Sequence, residues 1–193
     1  HKEQGFEFEL AAGNISDFDA TGEMLSEIAN RVGPLSIVVN CAGITRDAFL
    51  KKMPKEDWEA VINTNLNSLF NVCRQIVEPM GDSGWGRIVN ISSVNGQKGQ
   101  FGQTNYSAPK AGVHGFSMAL AQEMARKGVT VNSLSPGYVE TRMTAAVPEE
   151  IREQIIAQVP VGRMAQPAEI GSAVAFLCAD ESSYITGINL PVN

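Results

Sequence analysis

The sequence has 193 residues, of which 44% are hydrophobic and 19% are charged. This length suits one well-buried α/β domain and is short for two. The net charge of −6 argues against nucleic acid as the main partner, because phosphate binding favours a basic surface. No apolar run approaches the roughly 20 residues of a membrane-spanning helix, and the first residues lack the pattern of a signal peptide. We therefore expect neither a nucleic-acid nor a membrane partner.

The three cysteines, Cys41, Cys73 and Cys178, are odd in number and far apart, and none belongs to a CxxC pair. Such usage is typical of free thiols in a reducing compartment. We expect a cytoplasmic protein without a structural metal.

Strand and helix patterns alternate along the chain. Alternating apolar residues over 6–10 predict a short strand that ends at Gly13-Asn14. The pair Ser16-Asp17 offers caps for the helix that follows, and Gly33 is its stop signal. Residues 35–39 are mostly apolar with little alternation, which predicts a strand buried on both faces.

The remaining elements continue this alternation. Helical spacing of apolar residues predicts long helices over 55–79 and 105–126. Prolines at 148 and 167 are placed to begin two further helices, and strands are predicted at 87–92, 129–134 and 188–192. Buried strands that alternate with helices indicate a parallel sheet with helices on both faces.

We therefore predict an α/β fold built on a doubly wound parallel sheet, in a single domain over residues 1–193. In such sheets ligands bind beyond the carboxyl ends of the strands. Segments rich in Gly, Asn and Ser fall at four predicted strand ends, namely 13–14, 40–43, 92–93 and 136–137. Their convergence on one edge predicts the ligand site there.

Tyr106 and Lys110 are four residues apart on a predicted helix, so their side chains share one face. A tyrosine becomes an effective general acid when its pKa, about 10 in the free residue, is brought towards neutrality. A nearby ammonium favours the phenolate and would lower that pKa. The same spacing occurs by chance in exposed helix pairs, and on spacing alone that alternative stays open.

A serine at the end of the strand over 87–92 strengthens the catalytic interpretation. Ser93 lies thirteen residues before Tyr106, and its hydroxyl could hold a substrate carbonyl oxygen beside the phenol. Ser92 is an equally good candidate by chemistry alone. Either serine could also be an ordinary cap or turn residue.

Four motifs follow one another in the chain: Asn40-Cys41-Ala42-Gly43, Asn90-Ile91-Ser92-Ser93, Tyr106-Ser107-Ala108-Pro109-Lys110 and Pro136-Gly137-Tyr138-Val139-Glu140-Thr141. In order and spacing they resemble the motifs of the classical short-chain dehydrogenases/reductases, over essentially the whole chain. Residues 44–47, 91–106 and 112–116 are similar to a narrower subgroup, the bacterial acetoacetyl-CoA reductases. The resemblance implies a Rossmann-like fold and an NADPH-dependent reduction of acetoacetyl-CoA to (R)-3-hydroxybutyryl-CoA, which supplies polyhydroxybutyrate synthesis.

The same resemblance implies four catalytic residues. Ser93, rather than Ser92, would orient the ketone oxygen, and Tyr106 would be the general acid. Lys110 would lower the pKa of Tyr106 and bind the nicotinamide ribose. Asn65 would hold a water that relays protons to Lys110. The neighbouring asparagines are expected on the polar helix surface; they are Asn63, Asn67 and Asn71.

Cofactor and substrate contacts are implied in the same way. The cofactor would be NADP(H), with NAD(H) not excluded, because the segments that set this preference have no counterpart in the chain. Its implied contacts, besides Tyr106 and Lys110, are Gly13, Asn14, Ile15, Asn40, Cys41, Ala42, Gly43, Ile44, Thr45, Pro136, Gly137, Tyr138, Val139 and Thr141. The implied contacts of the acyl-CoA substrate are Asp47, Gln100, Phe101, Gln103 and Tyr138; loop packing and solvation are the alternative for these. The family also implies a homotetramer.

The chain departs from the family in three places. Cys41 stands where a second asparagine is usual, so a backbone contact would survive there and a side-chain contact would not. Pro109 lacks an N–H and is harmless only in the first turn of a helix, which predicts a helix start at about Asn105 or slightly earlier. The family's opening strand, Gly-rich turn, helix and second strand have no counterpart, and the chain stops at Asn193, before the family's usual end. We expect the natural gene to be longer and the 193-residue chain to be inactive or unstable alone.

Two other functions compete with this expectation. One is a 3-oxoacyl-ACP reductase of fatty-acid synthesis, which would need a basic patch near the mouth of the site for an acidic carrier protein. The other is a non-catalytic, truncated relative that keeps only the oligomerisation helices. His114 is expected on the helix surface or in a subunit contact.

Overall fold

The computed structural model describes residues 8–141, 144 and 148–193. Its four strands form one sheet and are β1 Ile37–Asn40, β2 Gly86–Ile91, β3 Val129–Pro136 and β4 Asn189–Val192. They pair in parallel in the order of the chain. The register places Asn40 opposite Asn90 and Ile91 opposite Leu134, so all four carboxyl ends lie at one edge. The predicted parallel sheet is confirmed.

Seven α-helices are described around this sheet. They are α1 Phe18–Val32, α2 Lys55–Ile62, α3 Ser68–Asp82, α4 Asn95–Lys98, α5 Thr104–Met124, α6 Glu149–Gln158 and α7 Pro167–Cys178. A π-helical segment, Asn63–Asn67, joins α2 to α3, and short 3₁₀ turns lie at Leu50–Lys52, Ala125–Lys127 and Asp180–Ser182. None of the helices within the described residues is long and apolar enough to cross a membrane.

Alternate residues of β2 enter two separate cores. Ile88 packs with Val72 and Ile76 of α3 and with Met124 of α5 on one face. Val89 points to the opposite face, where it packs with Leu177 of α7. Each fully buried aliphatic side chain of this kind contributes roughly 1.5–3 kcal/mol. Helices on both faces of a parallel sheet confirm the doubly wound architecture.

Local signals explain where α1 begins and ends. The Asp17 carboxylate accepts a hydrogen bond from the Ala20 amide at 2.9 Å, which satisfies one of the free donors of the first turn. Gly33 follows the last turn with φ of +88°, a backbone conformation that other residues rarely adopt. The predicted boundaries of this helix are confirmed.

Some predictions of elements were wrong. Residues 8–10 form no strand, because no described strand lies beside them to accept their hydrogen bonds; Phe6 lies outside the described residues. Strand β1 is not buried on both faces, since Ile37 and Val39 are 47% and 40% exposed. The reason is that β1 is an edge strand with described helices packed only on the Val38 side.

Pro109 also differs in part from its prediction. Helix α5 begins at Thr104, close to the predicted start. Pro109 is therefore the sixth helical residue and lies in the second turn rather than the first. Its missing N–H leaves the carbonyl of Asn105 without its usual helical donor.

Candidate active site

Helix α5 brings Tyr106 and Lys110 to the carboxyl edge of the sheet. The Lys110 ammonium lies 5.7 Å from the centre of the Tyr106 ring. Lys110 is buried, and its Nζ donates a hydrogen bond of 2.8 Å to the carbonyl of Ile91, the last residue of β2. Lys110 is thus part of the protein interior and Tyr106 is half-buried beside it, so the alternative of an exposed helix pair is wrong.

The two serines after β2 face different groups. The Ser93 hydroxyl lies near enough to the Tyr106 phenol to lower its pKa, and it accepts a bond of 3.1 Å from the Asn95 amide. Ser92 points away from the phenol and donates to the Lys110 carbonyl at 2.7 Å. Ser93 is therefore the serine placed to share an oxygen ligand with Tyr106.

Burial sets the protonation of this pair. Desolvation raises the pKa of Tyr106 above its usual value; the Ser93 hydroxyl partly offsets this, and the charges of Asp47 and Cys41 add to it. The lowering of the Tyr106 pKa by Lys110 stays a prediction. Burial lowers the pKa of Lys110 to about 8. At neutral pH the phenol therefore carries its proton, and the ammonium keeps its charge.

Asn65 lies in the π-helical segment and is buried. Its side chain accepts from the Ile44 amide at 2.8 Å and donates to the Ile44 carbonyl at 2.9 Å. Asn63 and Asn67 bond to each other at the exposed surface, as expected. Asn71 was wrongly expected there, because it is buried and donates to the Ile15 carbonyl at 2.9 Å.

The loop after β1 approaches Lys110 closely. A Cβ atom added at Gly43 would lie 3.4 Å from Asn65 Oδ1 and 3.5 Å from Lys110 Nζ, so the backbone of this loop borders the ammonium. The Asn40 side chain turns inwards and donates to Asn90 at 2.8 Å. Cys41 is exposed.

The donor and acceptor groups at this edge fit a nicotinamide dinucleotide. Ile91 accepts one of the three protons of the Lys110 ammonium, and the others can serve ribose hydroxyls. Gly137 supplies a backbone surface at the end of β3; a Cβ atom there would lie 2.8 Å from the Cβ of Asn193. Backbone loops with little side-chain bulk allow close approach of a flat ring and its ribose.

The other implied cofactor residues lie on segments around this edge of the sheet. Asn14 caps its own turn by accepting from the Ser16 amide, and Ile15 is tied to α3 by Asn71. Val139 forms an isolated parallel bridge with Ala165. Pro136 is the last residue of β3. The rest lie in loops; they are Gly13, Ala42, Thr45 and Thr141.

Four of the five implied substrate residues form two groups beside the site. Gln103 donates to the Asp47 carboxylate at 2.8 Å and accepts from Asn95 at 2.9 Å. Phe101 is 84% exposed and packs edge-on against Phe49, with ring centres 5.0 Å apart. Gln100 is exposed on the same loop.

Tyr138, the fifth, lines a cavity of about 330 Å³ next to this edge. Lys98 also lines this cavity, with its ammonium 5.8 Å from the centre of the Tyr138 ring. Arg163 also lines the cavity, but Glu169 holds its guanidinium in two hydrogen bonds of 2.7 Å. Sequence reasoning missed Lys98, because it lies between the motifs of Ser93 and Tyr106 and carries no spacing signal of its own.

Together, a buried ammonium, a protonated phenol and a serine hydroxyl converge where a parallel sheet binds ligands. This arrangement can hold a carbonyl oxygen and protonate it as hydride arrives. The family profile described as Enoyl-(Acyl carrier protein) reductase matches residues 1–193. The chain belongs to the short-chain dehydrogenase/reductase family and is a nicotinamide-dependent oxidoreductase.

Curated relatives resemble nearly the whole chain. An acetoacetyl-CoA reductase of Allochromatium vinosum is 61% identical over 98% of this chain and 77% of the relative. One of Cupriavidus necator is 53% identical over 100% of this chain and 78% of the relative. The 3-oxoacyl-[acyl-carrier-protein] reductase FabG of Pseudomonas aeruginosa is 44% identical, over 93% of this chain and 73% of that protein.

Proposed function

We propose that this protein reduces acetoacetyl-CoA to (R)-3-hydroxybutyryl-CoA with NADPH. The observation that carries the proposal is the contact of Ser93 with the Tyr106 phenol beside the buried Lys110. The substrate is proposed from the acetoacetyl-CoA reductases that share 53–61% identity with the chain.

The residues around Lys110 are proposed to hold the cofactor. When bound, the nicotinamide supplies the hydride that the β-carbon of the substrate accepts. The loop from Asn40 to Thr45 and the backbone at Gly137 would hold it against the sheet, with Lys110 binding the ribose. The preference for NADP(H) over NAD(H) rests on the similarity to the subgroup.

Ser93 and Tyr106 are proposed to act on the ketone oxygen. Both hydroxyls can donate to that oxygen, which fixes the carbonyl and stabilises the negative charge that develops on it. Because burial keeps the pKa of Tyr106 raised, the phenol carries the proton that the alkoxide takes up. Lys110 then stabilises the phenolate that is left and, through Asn65 and water, provides a route for reprotonation.

The substrate is proposed to lie between the Asp47–Gln103 pair and the cavity at Tyr138. The amide of Gln103, fixed by Asp47 and Asn95, suits the polar atoms of a short β-ketoacyl thioester. Phe101 offers an exposed flat surface beside them. A short acyl chain needs no deeper apolar channel.

A 3-oxoacyl-ACP reductase is the second candidate. The observation that favours it is the exposed pair Lys51 and Lys52 beside Phe49, since an acidic carrier protein would dock on basic residues at the mouth. Comparison of kcat/KM for acetoacetyl-CoA and acetoacetyl-ACP separates the two. We expect the CoA thioester to be preferred or equal; a strong preference for the carrier protein would contradict the proposal.

We also propose a cytoplasmic homotetramer that supplies polyhydroxybutyrate synthesis. Exposed large apolar side chains on three helices, Trp58, Phe70 and Met118, are suited to contacts between subunits. Light scattering after size exclusion would measure the mass of the protein made from its complete natural gene. A monomer at micromolar concentration would contradict the tetramer.

A further inference from the structure

His114 joins the catalytic helix to the ends of two strands. It lies one turn after Lys110 on α5, half-buried rather than on the expected helix surface. Its Nε2 atom is 2.8 Å from the Ser92 hydroxyl after β2 and 3.2 Å from the Ser135 hydroxyl in β3. No role in the reaction proposed above depends on this residue.

The neighbouring hydrogen bonds determine which proton His114 carries. Ser92 has one hydroxyl proton and donates it to the Lys110 carbonyl at 2.7 Å. Ser135 donates its proton to Asn189 Oδ1 at 2.8 Å. Both serines can therefore only accept from His114. Nε2 must carry a hydrogen that the two oxygens share, and in the neutral ring Nδ1 is without one.

This bracket of Ser92, His114 and Ser135 lies directly beneath the site. Ser92 stands between Ile91, whose carbonyl accepts from the Lys110 ammonium, and Ser93, whose hydroxyl lies beside the Tyr106 phenol. Fixing Ser92 therefore restrains the peptide groups on both of its sides. It also restrains Lys110 at its main chain, through the bond from Ser92 to the Lys110 carbonyl.

We infer that His114 is a positioning residue that, by donating from Nε2 to Ser92 and Ser135, sets Ser93 and Lys110 in register for the reduction. The inference rests on the proposed function for its kinetic consequences, but the hydrogen-bond direction stands independently of the substrate. Burial lowers the pKa of His114, so the neutral ring described here predominates at neutral pH.

A second polar contact on α5 shows what a purely structural link looks like. Ser117 accepts from Asn90 at 2.9 Å and donates to the Val113 carbonyl at 2.8 Å. This link also ties the helix to β2, but it bonds to none of the groups that touch Tyr106 or Lys110. The His114 bracket differs because its bonds end on the main chain of Lys110 and on the residue between Ile91 and Ser93.

The kinetic test uses the protein made from its complete natural gene, with NADPH and acetoacetyl-CoA. His114→Leu removes the donor at similar volume, and His114→Gln keeps an N–H near the position of Nε2. Small displacements of catalytic groups cost up to about 10²-fold, so we expect kcat to fall about tenfold in His114→Leu. We expect His114→Gln to recover most of it, while the exposed Gln122→Ala serves as the control on the same helix.

The pH profile distinguishes positioning from general loss of folded protein. The ammonium of Lys110 is faced by the Tyr106 phenol and the Cys41 thiol. If Lys110 is held less firmly in His114→Leu, water reaches its ammonium and its pKa rises. The alkaline limb of kcat should therefore move to higher pH in His114→Leu and stay in place in His114→Gln. Ser92→Ala should shift it likewise, and the double variant should add little to either single one, as expected for one coupled unit.

Proton-detected ¹⁵N spectra of the wild-type ring supply the measurement that does not need activity. We expect a neutral ring protonated on Nε2, assigned by its disappearance in His114→Gln. A ring protonated on Nδ1 would overturn the inference, as would a His114→Leu variant with wild-type kcat and pH profile. If the wild-type protein fails to reduce acetoacetyl-CoA, the proposed function fails, and the spectrum still tests the bracket.

Discussion

Lys110 carries a charge where water is largely excluded. Its side chain is buried, and the pKa falls to about 8 because the ammonium is desolvated. Folding therefore opposes protonation of this group. Burying the charged ammonium lowers the free energy of unfolding by its full amount below about pH 8. This loss disappears as the pH rises to the pKa of lysine in the unfolded chain. The site keeps this charge at the expense of stability.

Replacing Lys110 by methionine should separate stability from activity. Because the pKa of Lys110 is lowered by burial, its removal should raise the free energy of unfolding by on the order of 1–3 kcal/mol at pH 7. The Ile91 carbonyl, left without its donor, reduces this gain. We expect Lys110→Met to melt at a higher temperature than wild type at pH 7 and to lose most of its activity. Thermal unfolding at pH 7 and pH 10 measures this, and the gain should shrink at pH 10.

The matched control for this prediction is Lys110→Arg, which keeps a buried cation. It should lose activity without a rise in melting temperature. A Lys110→Met variant that is less stable than wild type at pH 7 would show that the ammonium contributes more through its bond to Ile91 than it costs by burial.

The pH dependence of the reduction follows from the same two groups. Tyr106 has a raised pKa and keeps its proton over the neutral range, whereas Lys110 loses its charge as the pH passes about 8. We expect kcat/KM for acetoacetyl-CoA to fall on the alkaline side with a midpoint near that of Lys110. A profile measured from pH 6 to pH 10 checks this, and a rate still flat at pH 9.5 would contradict it.

Some residues of the candidate site could be predicted from the sequence and others could not. The spacing of Tyr106 and Lys110 correctly placed them on one face, but chemistry alone could not choose between Ser92 and Ser93. That choice depends on which way each side chain turns after β2, and a strand end obeys no fixed alternation. His114 was expected on the helix surface or in a subunit contact, and its inward hydrogen bonds were not predicted. A signal for them existed, because His114 lies four residues after Lys110 and so shares its helix face.

Helix α4 is the element that presses on the catalytic helix. It is only four residues long, too short for a periodic signal, and the sequence did not predict it. Gly96 within it packs on the backbone of α5. A Cβ atom there would lie 2.7 Å from the Lys110 carbonyl carbon and 2.9 Å from the Ala111 nitrogen.

Gly96→Ala should therefore push α4 and α5 apart. Overpacking of this kind costs roughly 1–3 kcal/mol, and the displaced Lys110 backbone should lower kcat as well. Gly115→Ala is the matched control, since a Cβ atom at that helical position meets nothing within 4 Å and alanine favours the helix by roughly 0.5–1 kcal/mol. Urea unfolding and kcat for both variants check the prediction. Equal stability of the two variants would contradict it.

Other elements were predictable to the extent that they are periodic. The long helices and β2 to β4 follow from apolar spacing, and their boundaries agree within a few residues. The π-helical segment that buries Asn65 interrupts a pattern that reads as one continuous helix. Nothing in the apolar spacing marks it, so the selection of Asn65 depended on the resemblance to the family.

The whole molecule is organised around one edge of the sheet. Because all four described strands are parallel, the loops that follow β1, β2 and β3 meet there and carry Gly43, Ser93 and Gly137. The alternation of strands and helices predicted this arrangement. The exposure of Ile37 and Val39 was not predictable, because a uniformly apolar strand gives no sign that it lies at an edge.

The most direct test of the account is the reduction of acetoacetyl-CoA by the complete natural protein, wild type against Tyr106→Phe, with analysis of the product's configuration. Loss of a general acid costs about 10²–10⁴-fold. We expect wild type to oxidise NADPH and form (R)-3-hydroxybutyryl-CoA, and Tyr106→Phe to lose kcat by that factor with little change in KM. Absence of turnover, an (S) product or a Tyr106→Phe variant of undiminished rate would contradict it.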